Sequence, residues 1–312
     1  MFYLCIRLIT KHMDEITKIE TVDQYDQLFG LETLPPLVNV IDFSKATKSV
    51  EYIRMNIGFY CLFLKDAKCG DLKYGRKNYD YQEGTVVCMA PGQVSGIDNR
   101  NRTAPRTKSI GVLFHPDLIR GTSLGQNIKN YTFFSYEVNE ALHLSDQERE
   151  IVTDCIHKIR LELEHTIDKH SKQLIVRNIE LLLDYCMRFY ERQFITRNQA
   201  NKDIVVKFEQ LLDEYFQNQV AMTEGLPSVK YFADKACLSP NYFGDLIKKE
   251  TGKTAQEYIQ CRIIELAKER ILEGVQTVSQ VAYELGFQYP QHFSRLFKKH
   301  VGCTPNEYKQ KN

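Results

Sequence analysis

Gln291, Ser294, Arg295 and Lys298 recur at i, i+3, i+4 and i+7, interleaved with Phe293, Leu296, Phe297 and Val301. On a helix, residues at these spacings share a face, so the polar set faces water while the apolar set packs inward. A carboxamide, a hydroxyl and a guanidinium on one exposed face can exchange hydrogen bonds with base edges, and the cations can meet phosphates. The stretch closes on Lys298, Lys299 and His300, a cationic last turn followed by Gly302.

These side chains need a helix to carry them and a second one to hold it. Upstream, Val278, Val281, Ala282 and Leu285 form an apolar stripe, Thr277 with Gln280 reads as a capping box, and Gly286 ends the helix. The same design appears about fifty residues earlier. Val229, Phe232, Ala233 and Ala236 make its first stripe, and Phe243, Leu246 and Ile247 its second. Lys248-Lys249 matches Lys298-Lys299, Gly252 matches Gly302, and the box opened by Thr254 with Glu257 matches that of Thr304 with Glu307. The turns of the two units differ by one residue. Between them Thr254 to Leu272 reads as a connecting helix of about 28 Å, long enough to set two recognition helices about one DNA turn, ~34 Å, apart.

This pattern resembles the AraC/XylS family of bacterial transcription regulators. The match is carried by Val281-Ala-Tyr-Glu-Leu-Gly-Phe287, by Gln291-His-Phe-Ser-Arg-Leu-Phe-Lys-Lys299, and by Gly302-Cys-Thr-Pro-Asn-Glu-Tyr308. It covers about the last hundred residues, because Asp203 to Phe216 resembles the first helix of the family's DNA-binding domain. The resemblance implies two helix-turn-helix motifs joined by a linker helix, binding double-stranded DNA beside promoters. A ligand-responsive regulator, an activator or a repressor, is expected, with RNA polymerase as a candidate further partner. Family positions that approach DNA correspond to Tyr289, Pro290, Gln291, Ser294 and Arg295 in the second unit and to Asn241, Tyr242, Gly244 and Asp245 in the first. His292, Lys248, Lys249, Lys298 and Lys299 are phosphate candidates. Gly244 and Asp245 depart from the larger polar residue or Arg common in the family. A mid-helix glycine costs roughly 0.5–1 kcal/mol relative to Ala, so a compensating close approach of backbone to DNA is expected. Asp245 is expected to pair with Lys248 or Lys249 or to accept from a cytosine amino group.

A chain of 312 residues with 41 Lys and Arg against 40 Asp and Glu suggests about two soluble domains and no strong global field. From residue 221 onward there are 13 Lys and Arg against 10 Asp and Glu, a mild basic bias, so the DNA reading rests on pattern rather than charge. Nine scattered cysteines without a C-x-x-C pair fit a reducing, cytoplasmic setting. The opening MFYLCIRLIT is too short to span a bilayer and reads as a strand or arm rather than a signal or anchor. Met13 is an alternative start.

The expected fold is α+β, with a sensor and dimerisation domain over 1–196, β-rich from about 35 to 115 and helical from about 145 to 195. An all-α DNA-binding domain follows over 202–312. The apolar runs Leu37–Phe43, Ile57–Leu64, Gly84–Met89 and Ser109–Phe114 read as antiparallel strands. They resemble the cupin-like barrel that many AraC-type regulators carry as a sensor, able to enclose one ligand. Tyr60, Tyr79 and Tyr81 read as barrel core or rim. Farther on, Ser145 with Glu148 caps a helix bearing Ile151, Cys155, Ile159 and Leu163. A second helix, Lys172 to Phe194, carries Leu174, Ile175, Ile179, Leu182, Leu183, Cys186, Phe189 and Tyr190, a set equally suited to a homodimer interface and to intradomain core. Arg197–Lys202 reads as a linker. The competing reading, a catalytic or small-molecule-binding cupin tethered to DNA, needs clustered His and carboxylate ligands. The strand region offers His115 and no H-x-H, so no metal or cofactor is expected. Cys61, Cys69 and Cys88 are widely spaced and read as small hydrophobes.

Overall fold

The computed structural model describes residues 16–33, 35–65, 69–74, 77–81, 84–98, 109–137, 140–166, 168–196 and 198–311, which fall into two compact units, Met1–Ile195 and Thr196–Asn312. In the first unit the run Ile57–Leu64, which reads as one strand, is two. Gly58 and Phe59 break it where the Gly58 N–H donates to Ile19 O at 2.8 Å and a Cβ on Gly58 would sit 2.9 Å from Glu20 O. The chain there leaves one sheet, through β3 (Tyr52–Ile57), and enters another, through β4 (Tyr60–Lys65).

The other strands are β1 (Ile16–Ile19), β2 (Val38–Asp42), β5 (Cys69–Tyr74), β6 (Lys77–Tyr81), β7 (Thr85–Met89), β8 (Val94–Asp98), β9 (Ser109–Phe114) and β10 (Leu142–His143). They sort into two five-stranded sheets ordered β1-β3-β8-β5-β6 and β10-β7-β4-β9-β2. Only β1–β3 is parallel among the described pairs. Each sheet ends in two edges, so the described residues form two open sheets where a closed cupin-like barrel was expected.

A short helix, α1 (Val22–Phe29), follows β1. Thr21 and Gln24 cap it reciprocally, and Gly30 ends it at φ 62. Its Tyr25 and Phe29 enter a core with Ile41, Met55, Phe59 and Phe63, the Tyr25 ring lying 4.9 Å from Phe29 and 5.9 Å, edge-on, from Phe59. Tyr60 stacks on Phe114 at 5.0 Å. Tyr79 and Tyr81 lie on β6, and their side chains fall outside the described residues. His115 is the N-cap of a one-turn helix, α2 (Pro116–Ile119), its Nδ1 accepting from Asp117 N at 3.2 Å. A second one-turn helix, α3 (Ser123–Asn127), comes next. Burial pushes the thiols of Cys61 and Cys88 up, which fits small core hydrophobes rather than thiolates.

Helix α4 (Asp146–Glu164) starts at the Ser145–Glu148 capping box, and α5 (Ser171–Thr196) packs beside it. Arg192 ties them, meeting Glu148 Oε2 at 2.6 Å and His143 O at 2.7 Å. Of the apolar set on α5, Ile175, Ile179, Leu182, Leu183, Cys186, Phe189 and Tyr190 are buried in the unit's own core, while Leu174 is exposed. The face left outside carries Leu174 and Leu181, seven residues apart.

In the second unit α6 (Asn198–Gln217) begins inside the stretch read as a linker. No breaker interrupts 198–202, and the buried Asn201 donates to Glu250 Oε1 at 3.3 Å. After it come α7 (Val220–Glu224), α8 (Val229–Ala236), α9 (Pro240–Thr251), α10 (Ala255–Glu273), α11 (Val278–Glu284), α12 (Pro290–Val301) and α13 (Pro305–Lys311). Phe208 of α6 anchors the first part of this unit, its ring 5.0 Å from Phe232 and 5.2 Å from Phe243.

Candidate nucleic-acid interface

Helices α8–α9 and α11–α12 are two copies of one helix-turn-helix, and the structure shows where they differ. Their second helices are twelve residues each, begin with Pro at N1 and end at a left-handed glycine, Gly252 (φ 73) and Gly302 (φ 86). Their first helices are capped by Ser228 and Thr277. The C-terminal hydrogen bonds correspond: Leu238 N to Ala233 O and Phe287 N to Ala282 O, both 3.0 Å, next to the left-handed Cys237 and Gly286. The extra residue of the second turn falls between this lock and the next helix. Leu238 runs directly into the N-cap Ser239, whereas Gln288 separates Phe287 from the N-cap Tyr289.

On α12, Phe293 and Phe297 are fully buried, while Gln291, His292, Arg295, Lys298 and Lys299 are exposed and Ser294 and Pro290 half-buried. Tyr289 is 57% exposed with its ring 5.5 Å from that of His292, so an aromatic pair stands free at the helix start. The polar face expected from the spacing is thus presented to solvent. On α9 the equivalent stripe is Asn241, Gly244, Asp245 and Lys248, with Lys249 beside it; Asn241 and the lysines are exposed, and Gly244 and Asp245 half-buried. A Cβ built on Gly244 meets nothing within 4 Å. Tyr242 departs from expectation. It is 4% exposed and packs inward with Phe243 and Leu246, because position 242 lies on the apolar side of α9.

Within the second unit, helix α10 fixes the two helix-turn-helix motifs to each other. Near its start the Tyr258 hydroxyl donates to Glu209, and Arg262 Nε meets Asp213 Oδ1 at 2.8 Å, both carboxylates on α6. Near its end Arg270 meets Glu284 of α11 at 3.2 Å. Half-exposed pairs of this kind add little energy individually, whereas Ile259, Ile263, Ile264, Ala267 and Ile271 are buried along one face of the same helix, so packing sets its position and the ion pairs add to it. At 19 residues it spans about 28 Å. The capping carboxylates Glu257 and Glu307 are held below the usual range by the Thr254 and Thr304 N–H groups and hydroxyls, with lysine charges (Lys248 and Lys299, Lys298 and Lys311) acting in the same direction.

Among the described glycines of the second unit, Gly286 is the most closely approached. It has φ 90, and a Cβ there would lie 2.6 Å from Gly225 C. Tyr215 OH holds Gly225 O at 2.9 Å, joining α6 to that turn. The left-handed Cys237 of the first helix-turn-helix motif was not singled out by sequence reasoning, although its alignment with Gly286 marks it. Among the described residues no group of three or more His, Cys, Asp and Glu is arranged to hold a metal.

Such an arrangement defines a bipartite helix-turn-helix domain. Residues 232–311 match the helix-turn-helix domain family. The Tn10 TetD protein of Escherichia coli is 31% identical over 145 residues, covering 46% of this chain and 91% of TetD. The probable transcriptional regulator LumQ of Photobacterium leiognathi is 22% identical over 229 residues, 72% of this chain and 82% of LumQ. The transcriptional regulatory protein YesN of Bacillus subtilis is 37% identical over 87 residues, 27% of this chain; the match spans about a quarter (24%) of YesN. The chain belongs to the AraC/XylS family of helix-turn-helix transcription regulators.

Proposed function

We propose that the chain is a sequence-specific regulator that reads two successive major grooves of one DNA face and answers to a small molecule through its first unit. The observation that carries this is the duplicated, solvent-facing stripe, Asn241/Gly244/Asp245/Lys248 and Gln291/Ser294/Arg295/Lys298, on two helices held by a pinned connector. Gln291 is suited to adenine and Arg295 to guanine. Lys248, Lys249, Lys298, Lys299 and His292 serve phosphates, and Asn241, Tyr289 and Pro290 complete the contact surface. Tyr242 positions α9 from the core. The buried anchors of α5 leave Leu174 and Leu181 outside, a seam suited to a second copy of the chain. A cleft of about 480 Å³, large enough for a metabolite, is lined by Asp42, Leu64, Ile110 and the Arg149–Asp154 side of α4. Effector occupancy there would shift how two DNA-binding units are presented to paired sites, with RNA polymerase as a downstream partner in the cytoplasm.

Crosslinking the protein to its host genome, then comparing wild type with Arg295→Ala and Lys298→Ala on a recovered site and on random duplex, tests the reading. Arg295→Ala is expected to cost ~1–3 kcal/mol on the site and to relax base preference, whereas Lys298→Ala weakens both duplexes alike. Equal losses on both duplexes for Arg295→Ala would reverse the assignment.

A further inference from the structure

Asp26 is fully buried on α1. Its Oδ2 accepts from the neutral amide Nδ2 of Asn39 on β2 at 2.8 Å, and its Oδ1 has no hydrogen-bond partner among the described residues. A buried carboxylate with half its acceptor capacity unmet is costly to ionise, and the least costly relief is a proton.

Among the described residues no cation is paired with it. On α1 itself Asp23, one turn earlier, is another carboxylate, occupied by Gln27 Nε2 at 2.7 Å and Thr33 Oγ1 at 3.0 Å. Asn39 spends its second interaction on Glu32 O at 2.9 Å. Lys48, after β2, gives its Nζ to Gln27 O at 2.9 Å. On the core side stand Tyr25 and Cys61, both held neutral by burial.

The rest of α1 covers the aromatic core. Val22, Tyr25 and Phe29 are buried, and among the described residues the segment after β2 fastens the helix end through Lys48 N to Phe29 O at 3.0 Å, Lys48 Nζ to Gln27 O at 2.9 Å and Thr47 Oγ1 to Gly30 O at 2.8 Å. We propose that α1 is an acid-tightened lid on the aromatic core of the N-terminal unit, with the buried, cation-free carboxyl of Asp26 as its titrating group.

Burial is the largest influence on this carboxyl, pushing it from the ordinary 3.8 to about 6, while the Asn39 hydrogen bond and the nearby Thr33 hydroxyl oppose and Asp23 reinforces the shift. With the docked state binding the proton more tightly than the released one, docking is strongest below the ordinary value and weakens as pH rises through about 6. The inference stands apart from DNA recognition, since it concerns the first unit alone.

Amide hydrogen exchange of residues 22–29 in the intact chain, corrected for intrinsic rates, at about pH 5 and about pH 7.5 tests it. Opening of α1 is expected to be about tenfold more frequent at the higher pH in wild type, and pH-independent in Asp26→Asn. An equal pH response in both proteins, or tighter closure at the higher pH, would overturn it. Should Asp26→Asn fail to fold, a carbon-13 titration of the Asp26 carboxyl in wild type decides. A midpoint near 6 supports the proposal, and one in the ordinary range near 4 overturns it.

Discussion

Replacing Gly244 by Ala separates what this residue costs the fold from what it contributes to DNA. Gly244 lies mid-helix in α9 on the solvent stripe with Asn241, Asp245 and Lys248, and an added methyl meets nothing within 4 Å. No steric penalty offsets the gain in helix propensity, so Gly244→Ala should stabilise α9 by ~0.5–1 kcal/mol. Exchange of the α9 amides would then slow about two- to fivefold in the free protein. If the glycine is retained because the α9 backbone comes within van der Waals contact of the duplex, the methyl occupies that space, and affinity for a recovered site should fall on the order of tenfold. Hydrogen exchange on the free protein and a fluorescence anisotropy titration on the DNA read the two effects separately. A more stable variant that binds as tightly as wild type would refute the close-approach argument and leave Gly244 without a role at DNA.

Three further outcomes follow from the geometry. Gly286→Ala combines a left-handed φ of 90 with a Cβ 2.6 Å from the Gly225 backbone, so urea unfolding should show a loss of ~2–4 kcal/mol; a neutral effect would mean the α7–α11 contact is not tight. Leu174→Glu with Leu181→Glu alters only exposed positions, so circular dichroism should be unchanged, while sedimentation tests the proposed pairing of two copies through α5, expected to dissociate about tenfold or more easily. A variant that sediments as wild type would remove the seam from the account. Arg270→Ala removes the ion pair that ties α10 to α11 at 3.2 Å; stability should fall by no more than ~1 kcal/mol, while affinity for sites with altered motif spacing rises relative to the native spacing, measured by competition. Unchanged spacing preference would show that packing alone sets the geometry.

The C-terminal unit was legible because its signals are redundant. Two stripes, two lysine pairs, two capping boxes and two glycines repeat fifty residues apart, and the one-residue difference in the turns is where the structure places Gln288. Tyr242 was not legible. An aromatic residue next to Phe243 reads as either face until the rotation of α9 is fixed by Phe208 and Phe243 packing. In the first unit the long apolar runs were visible, but not which sheet each joins, since that depends on the handover at Gly58. Signals for β3 and α1 were present all the same. Ile53, Met55 and Ile57 alternate with Arg54 and Asn56, and Thr21 with Gln24 is a capping box of the kind recognised elsewhere in the chain. On α5 the number of apolar residues was informative but their partners were not, because burial within the unit and burial between copies draw on the same residue types.

Two pinned recognition helices are proposed to read two grooves. A hydroxyl-radical footprint of the intact protein on a recovered site tests it most directly. The account predicts two protected stretches centred about one helical turn, ~34 Å, apart, with the stretch under α12 lost in Arg295→Ala and the other retained. A single protected stretch in the wild type would contradict it and leave only one unit in contact with DNA.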